Sequence, residues 1–297
     1  MSRALPTNWK VFTLGLGRKT FGLTHWLDVT TVTLYSRREC LQQAAGLSAG
    51  LAATVWPSWV GASSPVFERK TLAEVAKALG AKSLTLSADV KLNTLDYAEN
   101  GASVPMDIST SLSGVSSFAL FVEKNPVPLA AVIKLTEGVG SSLTMHIKMA
   151  QTSVVYGLVL LNDGRAFYAK KEVKVVLGSC GGTSDTVDDV EAKRATEPTK
   201  IRTQIQGESA LVRMRMAHEM ESGQRKNAAG KVVMAWHIDR VVISHNAKEV
   251  MTADWGPGVA RHPYLQFNLK SAKLGDKLSV FWRDNKGASR TDDLLIL

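Results

Sequence analysis

From residue 83 onward, apolar and polar positions alternate with a period of two. Met145, Ile147 and Met149 take turns with Thr144, His146 and Lys148, the pattern of a strand with one face in a core and the other toward water. Comparable segments occur at 84–92, 103–110, 116–123, 130–135, 142–150, 153–161 and 166–177. Turn signals separate them: Asn100-Gly101 reads as a hairpin turn, and Asn162-Asp163-Gly164 as another tight turn. Short strands with turns at such spacing predict an antiparallel β-sandwich. One segment ahead of them has a different pattern. Thr71-Leu72-Ala73-Glu74 forms a capping box, which starts a helix over 72–79 that Gly80 stops. Being short, this helix is expected on the edge of the following sheet.

The alternation lapses at 183–198 (TSDTVDDVEAKRATEP), a linker by composition. It resumes at 199–297, where Val212, Met214 and Met216 alternate with Arg213 and Arg215. Further strands are expected at 232–244, 249–254, 265–269 and 278–282, giving a second sandwich. The fold class is therefore all-β: two antiparallel sandwiches with a short N-terminal helix. His146 falls on the polar side of its strand and is expected to be solvated. His218-Glu219-Met220-Glu221 ends a strand, with exposed polar side chains expected. The alternating methionines and Trp236, Trp255 and Trp282 are expected to fill the core.

Ahead of all this, Arg37-Arg38 precedes an uncharged Ala/Gly/Leu-rich run from 44 to 60, which ends in Val60-Gly61-Ala62. Paired arginines, a mild apolar region and a small-residue end resemble a twin-arginine export signal. The apolar run is shorter than the ~20 residues of a membrane-spanning helix. Cleavage rather than anchoring is expected, and with it a periplasmic location. The expected division is leader 1–62, first sandwich 63–182, linker 183–198 and second sandwich 199–297. Residues 1–35 are an unusual lead for a signal; a translation start assigned too early accounts for them better than an extra domain.

The formal net charge of +9 is inflated by the leader, where residues 1–62 hold six Lys/Arg and two Asp/Glu. Without a long basic run, the remaining charge describes a mildly basic surface rather than a nucleic-acid binder. It would suit anionic small molecules or acidic proteins. Of the two cysteines, Cys40 leaves with the leader, so Cys180 is the only thiol of the mature chain. Gly178, Ser179, Gly181 and Gly182 surround it with almost no side-chain bulk. A free thiol can be a nucleophile, a metal ligand, a redox switch or an attachment point. The six histidines are scattered without metal-ligand spacing, and neither metal nor cofactor is expected. A hydrolytic Cys–His pair would need rigidity that these flanks do not promise. The flanks favour a thin carrier arm that holds cargo covalently and enters a partner's narrow site.

Several motifs carry a family resemblance. Ala98-Glu99-Asn100-Gly101-Ala102-Ser103-Val104-Pro105, Asn125-Pro126-Val127-Pro128 and Gly178-Ser179-Cys180-Gly181-Gly182 resemble SoxY, the sulfur-substrate carrier of bacterial thiosulfate oxidation. His218-Glu219-Met220-Glu221-Ser222-Gly223-Gln224-Arg225-Lys226 and Phe281-Trp282-Arg283-Asp284-Asn285-Lys286-Gly287 are similar to SoxZ, its partner subunit. The chain thus resembles a SoxYZ fusion over about residues 70–297. The resemblance implies immunoglobulin-like sandwiches packed together and sulfur intermediates carried on Cys180 without turnover. It implies as partners a c-type cytochrome, a sulfate-releasing hydrolase and a sulfane dehydrogenase. Fused SoxYZ-like chains also resemble carriers associated with quinoprotein dehydrogenases, so the residues leave an interaction module open. Three features depart from the family. The arm is internal rather than C-terminal, Ser179 replaces a glycine, and Glu219 follows His218 where the family has proline.

Overall fold

The computed structural model describes residues 64–178, 197–227 and 230–297. The leader with Arg37, Arg38 and Cys40, the arm residues Ser179, Cys180, Gly181 and Gly182, and all but the end of the linker lie outside the described residues. A short 3-10 helix (Pro65–Glu68) and α1 (Leu72–Ala78) come first. Thr71 Oγ1 accepts the Glu74 amide and Glu74 reaches back, so the capping box forms as expected.

The first half then supplies β1 (Ser83–Leu86), β2 (Val90–Thr94), β3 (Tyr97–Asn100), β4 (Val104–Thr110), β5 (Val115–Val122), β6 (Leu129–Leu135), β7 (Val139–Ile147), β8 (Ser153–Leu161) and β9 (Arg165–Leu177). The second half supplies β10 (Lys200–Gln206), β11 (Ser209–Arg215), β12 (Ile238–His245), β13 (Lys248–Trp255), β14 (Tyr264–Lys270), β15 (Lys277–Asp284) and β16 (Ser289–Leu295). The fold is an all-β sandwich, and its two halves are joined through both layers. One sheet runs β1-β9-β8-β5-β6-β13-β12-β15-β16, with β3 added beside β9; the other runs β10-β11-β14-β7-β4-β2. The halves meet at β6–β13, with Met251 opposite Leu135, and at β14–β7, with Leu265 opposite Met145. One apolar cluster, from Val90 to Ile296, fills the space between the sheets.

A second cluster lies on the outer face of β5, β6 and β8, where Phe121, Val132 and Leu158 meet Phe67 and Val75. The 3-10 helix and α1 therefore cover the face of the sheet rather than its edge. This cover explains why β5 and β6 read as nearly continuous apolar runs: they are buried on both sides.

Four further expectations are corrected. The single strand at 84–92 is two, broken where Asp89 and Ser87 hydrogen-bond side chain to backbone and side chain to side chain. At this turn the chain passes from one sheet to the other, and β1 pairs with β9 in parallel. Asn100-Gly101 closes no hairpin: β3 runs parallel to β9, while β4 pairs with β2 and β7. The strand expected at 232–244 begins at Ile238, because side-chain bonds of Trp236 and Asn285 organise the preceding residues. His218 is fully buried rather than exposed.

Candidate functional site

The described residues reach the root of the expected arm at Gly178. Beyond Val173, β9 leaves its pairing with β8 and is held by β3, with Tyr97 opposite Lys174 and Asn100 opposite Leu177. On its other side the Val175 amide donates to Thr152 Oγ1 at 2.9 Å. Gly101 then ties two segments together. Its amide donates to the Leu177 carbonyl at 2.7 Å, and its carbonyl accepts the Met149 amide at 2.7 Å.

Both glycines of this root are sterically required. A Cβ on Gly178 would stand 2.0 Å from the Ala150 carbonyl oxygen, and one on Gly101 would stand 2.2 Å from that of Met149. Gly178 was expected to lend the arm freedom; it also serves as a fixed contact at the arm's base. The segment beneath it is clamped by Asn125, buried at 8% exposure. Asn125 Nδ2 donates to the Lys148 carbonyl at 2.8 Å, and its Oδ1 accepts the Ala150 amide at 2.9 Å. In sequence, only Ser179 stands between Gly178 and Cys180. Around the root, Val176, Leu177 and Tyr97 are exposed by 55%, 66% and 56%.

A cleft beside the root is built from both halves: Asn125, Lys148 and Ala150 from the first, Ser222, Gln224 and Pro257 from the second. The Lys148 ammonium crosses the junction, donating to the Met220 and Pro257 carbonyls. The cleft encloses about 30 Å³, room for a water molecule and little more.

The loop that carries Ser222 is anchored from below. Met220 has a positive φ of 52°. Its amide donates to His218 Nδ1 at 3.0 Å, which makes Nε2 the protonated nitrogen. Nε2 faces Asp284 Oδ2 at 3.4 Å, and Trp236 Nε1 donates to the same oxygen at 2.7 Å. The rings of Trp236 and Trp282 flank His218 at centroid distances of 4.4 and 5.9 Å. Burial opposes the charge of Asp284, but the bonds from His218 and Trp236 outweigh it and lower its pKa. His146 is half-buried rather than solvated; it meets Ser103 Oγ at 3.1 Å and lies against the Tyr264 ring at a tilt of 42°.

Burial, with help from the charges of Lys148 and His218, pushes His237 down to about 4. Its neutral form is therefore the one that fits the fold. Stability should be fully present above the unfolded-chain value of about 6.5 and should fall as pH drops from there toward 4. Burial lowers His218 too, with the same sign. Thermal unfolding should show Tm falling between pH 7 and pH 4.5, with a shallower fall in His237→Asn. A Tm that is level across that window in the wild type would contradict the placement.

The sequence did not single out Gly101, Asn125, Lys148 or Asp284 for these roles. Gly101 carried a turn signal, and Asn125 and Asp284 stood within family motifs, but their partners are distant in sequence. Among the described residues no group of three His, Cys, Asp or Glu could hold a metal ion. Among them, too, no helix is long and apolar enough to cross a membrane.

The family described as sulfur oxidation protein SoxY matches residues 75–180, and that described as sulphur oxidation protein SoxZ matches residues 199–294. Together they take in well over half of the chain. Among solved structures, the sulfur carrier protein SoxY from Chlorobium limicola f thiosulfatophilum is 26% identical, over 35% of this chain and 94% of that one, at a TM-score of 0.32. A superoxide reductase (neelaredoxin) from Ignicoccus hospitalis is 15% identical, over 29% of this chain and 80% of that one, at a TM-score of 0.26. No curated protein matches the chain.

Proposed function

Since this chain belongs to the SoxY and SoxZ families, joined in one polypeptide with a carrier role in sulfur oxidation, we propose that it carries thiosulfate-derived intermediates covalently on Cys180 in the periplasm. The observation that carries this reading is a coincidence of ends. The SoxY match stops at Cys180, and the last strand of the first half stops three residues earlier at Leu177. The thiol thus follows directly on a root braced by Gly101, Thr152 and Ala150.

Loading joins the thiol to the outer sulfur of thiosulfate. One S–S bond forms, the thiol proton leaves, and two electrons pass to a c-type cytochrome. A sulfate-releasing hydrolase and a sulfane dehydrogenase then act on the cargo; the protein has no turnover of its own. The exposed Val176, Leu177 and Tyr97 give a partner an apolar surface beside the arm. Ser179, Gly181 and Gly182 keep the arm thin, and Arg37-Arg38 direct export.

Intact mass spectrometry after incubation with thiosulfate and the oxidising partner is the test. A thiosulfate-sized gain on wild type and none on Cys180→Ser is expected. Equal gain on both would remove the carrier reading. The second reading, an interaction module for a quinoprotein dehydrogenase, rests on the internal position of the arm. It predicts capture of that dehydrogenase unaffected by Cys180→Ser, with no adduct on natively purified protein.

A further inference from the structure

The outward face of β10 and β11 breaks a rule of strand pairing. Lys200 stands directly opposite Arg215, and Arg202 directly opposite Arg213. Like charges in such positions repel and destabilise the pair. The register cannot slip to relieve them, because the intervening Ala210, Val212 and Met214 are fixed in the core. All four cations are exposed. Arg213 donates to Gln266 Oε1 at 3.0 Å, and none of the four has a carboxylate partner among the described residues. Arg215 adds to burial in holding His146 below its usual range, against the opposing charge of Asp107.

At the Lys200–Arg215 end, this pair opens on a cavity of about 300 Å³, also lined by Met216, His262 and Glu197. That volume is at the small end of ligand sites. The guanidinium fork of Arg215 fits two oxygens of one anion, and Lys200 adds a mobile point charge. Glu197 offsets one of them, while Arg202 and Arg213, one strand step away, keep the region cationic.

We propose that this cavity binds a small tetrahedral oxyanion of the sulfate, thiosulfate or phosphate class. An anion seated there screens the opposed cations from each other, so relief of their repulsion adds to its own attraction. The site lies on the β10-β11-β14 sheet, apart from the arm root on β9, and stands whether or not Cys180 carries cargo.

The test is calorimetric titration of the full chain with sodium sulfate, thiosulfate and phosphate, at ionic strength held constant with sodium chloride. Saturable binding of one anion per chain is expected, with sulfate raising Tm, and the order of the three affinities identifies the preferred member. Lys200→Gln/Arg215→Gln should weaken binding about tenfold or more. Lys231→Gln/Lys248→Gln, which removes the same charge elsewhere, should not, and Cys180→Ser should bind like wild type. Should the first double variant fail to fold, the two single variants replace it, each expected to weaken binding about threefold. No saturable binding of any of the three anions, equal weakening in both double variants, or loss of binding in Cys180→Ser would overturn the proposal.

Discussion

Asp284→Ala should destabilise the fold by about 3–5 kcal/mol, the scale on which removing one partner of a buried ionic network acts. The side chain is fully buried and serves four donors. Oδ2 faces Trp236 Nε1 and His218 Nε2, while Oδ1 accepts the amides of Lys286 and Ala288 at 2.9 Å each. Truncation leaves buried donors without an acceptor, each at a desolvation cost. In a protein of this size Tm should drop by about 10 °C or more. Asp293, exposed and paired with Lys277 at 2.8 Å, is the control, and Asp293→Ala should hardly move Tm. Equal melting of the two variants would show that the network does not hold the fold. Because Met220 and His218 share this network, Asp284→Ala should also loosen the loop that brings Ser222 to the arm root.

Gly178→Ala should act at the junction of fold and arm. The added methyl would sit 2.0 Å from the Ala150 carbonyl oxygen, backbone that Asn125 holds in place. Something must move, at about 1–3 kcal/mol if overpacking in a core is the guide. The cheaper movement is for the end of β9 to lift from Ala150, which shifts the origin of the arm. Lower Tm and slower partner-driven loading of Cys180 should appear together. Gly101→Ala, with its methyl 2.2 Å from the Met149 carbonyl, should show the same pair of effects. Unchanged Tm and loading in Gly178→Ala would refute the fixed contact.

The strands legible in the sequence were those with one buried face, such as β7 and β11, where alternation records the two environments directly. The chain also announced its capping box, whose partners are three residues apart. β10 and β16 escaped notice because they are edge strands, rich in charged and polar residues that resist further pairing. The break at Ser87–Asp89 was hidden because apolar alternation continues in sequence while the chain changes sheets. His218 looked exposed because a short polar run surrounds it; the aspartate and tryptophans that make its burial tolerable are remote in sequence. The expectation for Cys180, which lies outside the described residues, rests on the opposite kind of signal, a purely local one: a thiol among residues of minimal bulk. What braces the end of β9 before it, the contacts of Gly101, Asn125 and Ala150, is tertiary and left no pattern to read.

The pairing of β6 with β13 and of β14 with β7 has a consequence for how such a molecule can be made. Either half synthesised alone would end in two unpaired strand edges, one per sheet, each a template for stray association. Encoding both halves in one chain delivers them in equal number and tethers each beside its only intended complement. The local concentration is then set by the tether rather than by expression level. Fusion here guards against aggregation during assembly as much as it strengthens the finished protein.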